Sequence, residues 1–169
     1  MHPEYFGDSY DLVKRFFIQE LKTLGYTVTV QPMFTGTWGD QEQQFFELMG
    51  ASRRDPRINL ARSALFIDPD TGINEKGGKA HVSFKALAEQ ANSSSIVFAF
   101  DQSFSRQMKP IEMMQEKLRR MEAMNCHAMY YDSHARFLFI SMSQGLLQEL
   151  KTHLHSVGLP TSRLVESAA

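Results

Sequence analysis

The chain has 169 residues, of which 43% are hydrophobic and 22% are charged. These fractions are those of an ordinary globular protein and exclude a disordered or fibrous chain. No apolar run approaches the roughly 20 residues that cross a bilayer, the N-terminus lacks the apolar segment of a secretory signal, and Cys126 is the only cysteine. We therefore expect a single cytoplasmic domain over residues 1–169, with no membrane contact.

Charge is balanced overall but unevenly distributed. Residues 1–50 carry 3 basic and 7 acidic side chains, and residues 51–169 carry 15 and 12. The net charge of −1 argues against a strongly basic nucleic-acid binder. Four arginines nevertheless cluster in one segment, at positions 53, 54, 57 and 62. They form either a solvated loop or a loop that meets a polyanion.

An amphipathic helix is predicted near the N-terminus. It begins at Asp8 or Ser9, either of which can cap the first turn, and ends before Gly25. Its apolar side chains recur at helical spacing; they are Tyr10, Val13, Phe17, Leu21 and Leu24. Lys14 and Arg15 fall one turn in, and exposure to solvent is the favoured interpretation for both.

The rest of the chain alternates between strand and helix patterns. Strands are predicted at residues 26–30, 64–67 and 95–100, and the last two are uniformly apolar, which is typical of strands buried on both faces. Helices are predicted at 41–49, at 82–91, from Pro110 onward and before Gly158. Residues 127–131 and 136–142 form a hairpin. The pattern predicts an α/β layer whose mostly parallel sheet gains an antiparallel edge from that hairpin.

Acidic residues follow both uniformly apolar strands. Asp68, Pro69 and Asp70 come directly after the first strand, and Asp101 comes directly after the second. If the strands are neighbours, about 5 Å apart, these carboxylates converge at the sheet edge where ligands of such folds bind. Converging carboxylates need a metal, a basic partner or a ligand donor. The basic partner expected from the adjoining loops is Arg106 or Lys76.

The opening of the first helix is a second candidate region. Gly7, Asp8, Asp11 and Lys14 are candidate ligand-binding residues there, because a glycine before a helix N-terminus lets a ligand approach the backbone. An ordinary helix cap is the alternative. Likewise, Asp70 is followed by Thr71 and Gly72 in a pattern that also forms simple turns.

These pieces resemble a group of bacterial and phage hypothetical proteins. Its members carry GD-x-x-D-x-x-K near the N-terminus and DPD-[NT]-G after a central strand. The matching residues are Gly7, Asp8, Asp11 and Lys14, followed by residues 68–72 and, more loosely, by Asp101 and Arg106. The resemblance spans most of the chain.

A more distant similarity is to the N6-adenine methyltransferases of ribosomal RNA, whose D-P-P-Y motif ends a central strand. It implies a three-layer, methyltransferase-like Rossmann fold, truncated at its N-terminal side, in which Asp68 and Pro69 accept hydrogen bonds from a target amine. It also implies S-adenosylmethionine as cofactor. Asp70 and Thr71 replace the second proline and the aromatic residue, and residues 30–34 replace the glycine-rich cofactor loop.

Three functions follow from these observations. The first is a methyltransferase-like protein, catalytically degenerate or active, that acts on nucleic acid or a nucleotide through Asp68, Pro69, Asp70 and Asp101. The second is a nuclease or phosphoesterase in which Asp68, Asp70 and Asp101 hold Mg²⁺ or Mn²⁺, since hard cations prefer oxygen ligands. The third is a non-enzymatic binding protein of a phage or mobile element. The sequence leaves the substrate, the partner and the oligomeric state open.

Overall fold

A computed structural model describes residues 1–55, 62–105 and 107–167 of the chain. Five α-helices lie in this part: α1 (Ser9–Thr23), α2 (Gln41–Met49), α3 (Phe84–Ala88), α4 (Pro110–Glu122) and α5 (Gln144–Ser156). Nine strands accompany them: β1 (Thr27–Pro32), β2 (Ser52–Arg53), β3 (Ser63–Asp68), β4 (Gly72–Asn74), β5 (His81–Ser83), β6 (Ser95–Phe100), β7 (His127–Tyr131), β8 (Phe137–Ser141) and β9 (Leu164–Glu166).

Seven strands form one mostly parallel sheet in the order β2-β1-β3-β6-β8-β7-β9. The first four run parallel, β8 runs antiparallel to β6 and β7, and β9 runs antiparallel to β7. The predicted hairpin is confirmed, but it does not form the sheet edge, because β9 pairs with the outer side of β7. Strands β4 and β5 form a separate two-stranded sheet.

Helices cover both faces of the large sheet, which gives three layers. Apolar residues of α1, α2 and α5 share one buried cluster with Phe66 and Phe98 of the sheet. Those of α3 and α4 share a second cluster with Ile67 and Ala99. The chain therefore crosses from β1 to β2 on one face and from β3 to β6 on the other, so its winding direction changes between β1 and β3.

Helix α1 begins and ends where the sequence predicts. The side chain of Asp8 accepts hydrogen bonds from the amides of Tyr10 (2.8 Å) and Asp11 (3.2 Å). Gly25 follows the helix with φ +84°, a conformation that favours glycine. Ser83 caps α3, since its hydroxyl accepts a hydrogen bond from the amide of Ala86. Helix α3 is shorter than predicted.

In the part of the chain that the structure describes, no helix has both the length and the apolar character that crossing a bilayer requires.

Candidate functional site

The two strand-terminal aspartates lie on opposite faces of the sheet. Strands β3 and β6 are neighbours, as predicted, and Ile67 pairs with Ala99. Side chains alternate between faces along a strand, so Asp68 lies on the face of α1 and Asp101 lies on the face of α4. The expected convergence of Asp68 with Asp101 is not observed.

Asp68 forms a buried ion pair with a lysine of α1. The ammonium of Lys14 lies 3.0 Å from Asp68 Oδ2 and 2.8 Å from Asp11 Oδ1. Lys14 is only 3% exposed, and both carboxylates are fully buried. The expectation of a solvent-exposed Lys14 is therefore wrong, whereas Arg15 is exposed. Asp11 also accepts the amide of Gly7 at 2.8 Å, which fixes its position.

Charge and burial act against each other in this cluster. Burial alone would lower the pKa of Lys14, but attraction by Asp68 and Asp11 outweighs it and raises that pKa above the ordinary value. Burial raises the pKa of Asp68, although Lys14 partly opposes the rise. Asp68 Oδ1 is buried and has no hydrogen-bond partner among the described residues. The cluster thus retains one acceptor that a proton or a donor group would satisfy.

A small crevice opens beside this cluster, beyond the carboxyl ends of the central strands. Its volume is about 210 Å³. The lining residues come from the N-terminal segment, α1 and the ends of β3 and β6; they are Met1, His2, Tyr5, Asp8, Tyr10, Asp11, Lys14, Pro69, Asp70, Phe100 and Gln102. Because the winding direction changes between β1 and β3, the crevice lies where open α/β sheets bind ligands.

The raised pKa of Asp68 predicts how stability depends on pH. The folded protein binds the carboxyl proton of Asp68 more tightly than the unfolded chain does. The stability that this proton contributes is therefore fully present below about pH 4 and is lost as pH rises through the raised pKa of Asp68. We expect the unfolding free energy of wild type, minus that of Asp68→Asn, to fall as pH rises above about 4. Chemical denaturation at several pH values measures it, and a difference that grows with pH would contradict the assignment.

Asp101 has a different environment, in which both carboxylate oxygens are occupied. Oδ2 accepts from Lys117 Nζ at 2.6 Å and from the Tyr130 hydroxyl at 2.7 Å. Oδ1 accepts from the amides of Ile73 at 2.9 Å and Ser103 at 3.1 Å, and from the Ser103 hydroxyl. Burial lowers the pKa of Lys117, although Asp101 partly counters it. Asp101 therefore has a structural role, because its hydrogen bonds link the end of β6 to β4, β7 and α4.

Gly72 is the glycine that this arrangement requires. Its φ is +142°, and a Cβ there would overlap Asp101 Oδ1 and lie 2.9 Å from the amides of Gln102 and Ser103. The DPDTG segment after β3 therefore ends in glycine because the backbone passes directly against Asp101.

Gly72→Ala is expected to lower the free energy of unfolding by about 3 kcal/mol, through steric overlap added to backbone strain. Gly78→Ala is the matched control, because Gly78 has φ +138° and no atom lies within 4 Å of the position that its Cβ would take. Strain alone predicts a loss of about 1 kcal/mol there. Urea denaturation measures both, and equal losses would contradict the role given to Asp101.

The separation of the aspartates also affects the metal hypothesis. No group of three or more His, Cys, Asp or Glu side chains that could hold a metal ion is found over residues 1–55, 62–105 and 107–167. Asp70 lies near the Met1 amino group (3.1 Å) instead of near Asp101. The metal site expected at Asp68, Asp70 and Asp101 is therefore not formed.

The residues after β1 do not fit S-adenosylmethionine. Phe34 packs against Trp38 with ring centroids 4.2 Å apart, and both contact Phe45. The amide of Thr35 and the indole of Trp38 donate to the Met1 carbonyl oxygen. Because its own aromatic side chains fill this segment, it does not form a glycine-lined cradle for the cofactor.

The remaining candidate residues from the sequence are Asp8 and the arginines, and they do not form a common cluster among the described residues. Asp8 caps α1, so the capping interpretation is confirmed, and it also lines the crevice. Arg106 and Arg57 lie outside the described residues. Arg53 pairs with Glu42 and Arg62 pairs with Glu149, so these two arginines contact the protein's own acids.

The sequence patterns do not predict the partners of Asp101, which are Lys117, Ser103 and Tyr130. A signal for Lys117 exists: it lies between Met114 and Leu118 on the buried stripe of α4, where an apolar residue is expected. Lys14 likewise lies within the buried face of α1. A lysine in an apolar stripe, together with an aspartate after a buried strand, indicates a buried pair.

A larger depression of about 900 Å³ lies at the opposite end of β1, between the last turn of α1 and α2. The basic side chains that line it, Lys22 and Arg53, already have partners in the protein. Lys22 donates to the Gly50 carbonyl oxygen, and Arg53 pairs with Glu42. The small crevice beside Asp68 is therefore the stronger candidate site.

Comparison with known proteins identifies no relative: the chain matches no protein-family model, no curated protein and no solved structure.

Proposed function

We propose that the chain is a methyltransferase-like α/β protein that binds a planar, amine-bearing ring, as in a nucleotide or in nucleic acid, at the carboxyl end of β3. The observation that carries the proposal is the buried Asp68 Oδ1, which no described residue hydrogen-bonds. A buried acceptor without a donor is costly, and an amino group of a ligand would satisfy it. The proposal assigns binding and no catalytic step.

The fold is compatible with this proposal. The sheet is mostly parallel, helices cover both faces, and an antiparallel hairpin follows β6. These features agree with the arrangement that the similarity to adenine methyltransferases implies. Asp68 ends β3 and Pro69 follows it, as the first two residues of the D-P-P-Y motif do.

The charge of the crevice favours an amine over a phosphate. Three carboxylates line it, those of Asp8, Asp11 and Asp70. Lys14 joins Asp11 to the buried carboxylate of Asp68. The Lys14 ammonium is already held by Asp11 and Asp68, and the Met1 amino group pairs with Asp70, so these two cations have partners within the protein. An acidic crevice repels phosphate and attracts donors, so any phosphate of the ligand is expected to lie outside it.

The size of the crevice limits what enters it. Pockets for drug-sized ligands usually have volumes of roughly 300–1,000 Å³, whereas this crevice has about 210 Å³. One ring system fits this space better than a whole nucleotide does. The base of a nucleotide is therefore expected to enter the crevice, while its sugar and phosphate stay at the protein surface.

Isothermal titration calorimetry with adenosine and inosine tests the proposal. The two nucleosides differ where an amino group is replaced by a carbonyl oxygen. We expect adenosine to bind at least about tenfold more tightly, because a hydrogen bond to a charged acceptor is worth about 1.5–3 kcal/mol. Equal affinities, or no binding of either nucleoside, would overturn the proposal.

Two variants localise the effect. Asp68→Asn is expected to remove the preference for adenosine, because an amide in place of the carboxylate weakens the acceptor. Asp40→Asn removes the same charge from an exposed aspartate before α2 and is expected to leave the preference unchanged. Circular dichroism confirms that both variants are folded before titration.

A further inference from the structure

Four aromatic rings border the crevice, those of His2, Tyr5, Tyr10 and Phe100. Phe100 is buried, and the Lys14 ammonium lies 5.0 Å from its ring centroid, so this ring forms part of the floor. Tyr5 is 59% exposed and meets His2 edge-on at 6.3 Å. Tyr10 is intermediate in exposure, which leaves part of its ring accessible.

Tyr10 is held on two sides by other rings. Its centroid lies 5.4 Å from that of Phe100 at an interplanar angle of 57°. His134, from the loop between β7 and β8, lies 5.6 Å away and nearly parallel, at 15°. His134 does not line the crevice, so it supports Tyr10 from outside. The Tyr10 amide is also fixed, because it donates to Asp8.

We propose that Tyr10 is the stacking platform on which the ring of the ligand lies. This inference rests on the proposed function, because it concerns the same crevice. An aromatic side chain that is already immobilised provides a flat contact surface at little further entropic cost, and nucleobases stack on such rings irrespective of sequence.

Helix α1 then supplies two parts of one binding site. Tyr10 provides the flat surface, while Asp11 and Lys14, on the same rigid helix, position the acceptor Asp68. Stacking on Tyr10 limits the tilt of the ring, and the hydrogen bond to Asp68 fixes its rotation. The pair therefore selects a flat ring that carries an amino group at its edge.

Fluorescence titration with 2-aminopurine riboside tests this inference, because the emission of this amine-bearing base is quenched when it stacks on an aromatic ring. The wild type is expected to bind and quench the probe. Tyr10→Leu is expected to weaken binding about tenfold and to abolish quenching, since stacking is worth about 1–3 kcal/mol per base. Tyr10→Phe keeps the ring and is expected to retain both the quenching and most of the affinity.

Tyr5→Leu tests the other exposed ring of the crevice. Phe46→Leu is the matched control, because Phe46 is intermediate in exposure like Tyr10 but lies on α2 outside the crevice, and it is expected to leave binding and quenching unchanged. If Tyr10→Leu leaves binding and quenching intact, or if Tyr5→Leu abolishes them instead, Tyr10 is not the platform, while the proposed function stands. If the wild type binds neither this probe nor adenosine, the proposed function and the stacking inference are both overturned.

Discussion

Asp101→Ala is expected to lower the free energy of unfolding by about 4 kcal/mol, because removing one partner of a buried ion pair typically costs 3–5 kcal/mol. The substitution leaves the Lys117 ammonium and the Tyr130 hydroxyl without their shared acceptor. It also removes the hydrogen bond from the Ile73 amide to Asp101, which links β4 to the end of β6. Guanidinium denaturation followed by circular dichroism measures the loss.

Asp132→Ala is the control for this experiment. Asp132 pairs with Arg136 at 3.3 Å, but its side chain is 28% exposed. Ion pairs that water reaches contribute about 0–1 kcal/mol, so the loss there is expected to stay below about 1 kcal/mol. Comparable losses in the two variants would contradict the structural role of Asp101.

Lys14→Met is expected to lower the free energy of unfolding by about 3–5 kcal/mol, because it leaves two carboxylates buried without their cation. The pKa of Asp68 then rises further, because Lys14 is the charge that opposes its rise. The penalty is therefore expected to shrink as pH falls toward about 4, where carboxyl groups take up protons. Urea denaturation at neutral and acidic pH measures both effects.

Arg15→Met removes the same charge from the next position of α1. Arg15 is exposed, and surface substitutions of this kind usually change stability by less than about 0.5 kcal/mol. A Lys14→Met loss as small as that of Arg15→Met, or one independent of pH, would show that Lys14 does not neutralise the buried carboxylates.

The sequence patterns predict the central elements well, because those elements are defined by their own side chains. Uninterrupted apolar runs place β3 and β6 in the middle of the sheet. Asp8 and Gly25 limit α1, and the alternation of strands with helices predicts the parallel order. Strands β2, β4, β5 and β9 have two or three residues each. These short segments are strands because a neighbouring strand pairs with them. A segment of two or three residues is too short to show the alternating pattern from which a strand is predicted.

The arrangement of the site could be predicted only in part. The sequence shows where β3 and β6 end. It does not show which face of the sheet each terminal side chain occupies, because that depends on the register between the strands. A shift of one residue moves a side chain to the other face. Ile67 pairs with Ala99, so Asp68 aligns with Phe100 and Asp101 follows one position later. That single position separates the two aspartates.

The sequence predicts part of what α1 contributes to the candidate site, although it favours exposure to solvent for Lys14. The GD-x-x-D-x-x-K pattern singles out Asp8, Asp11 and Lys14, and all three line the crevice. Their partner at the end of β3 lies 54 positions after Lys14 along the chain. Sequence spacing alone does not predict a contact between residues so far apart along the chain. The contact between Lys14 and Asp68 forms because α1 packs over the end of β3.

The structure places two independent buried pairs on opposite faces of the sheet, Lys14 with Asp68 and Lys117 with Asp101. Double-mutant cycles measure whether the two pairs are coupled. Tyr130→Phe removes one hydrogen bond from Asp101 without changing charge. Combined with Asp68→Asn, it is expected to be additive within about 0.5 kcal/mol, because the two sites share no partner.

Lys14→Met combined with Asp68→Asn is expected to depart from additivity by more than about 1 kcal/mol, as residues of one ion pair do. Strong coupling inside the Lys14–Asp68 pair and none between Asp68 and Tyr130 is the predicted result. Coupling of similar size in both cycles would contradict the independence of the two pairs, because it would place the two aspartates in one network.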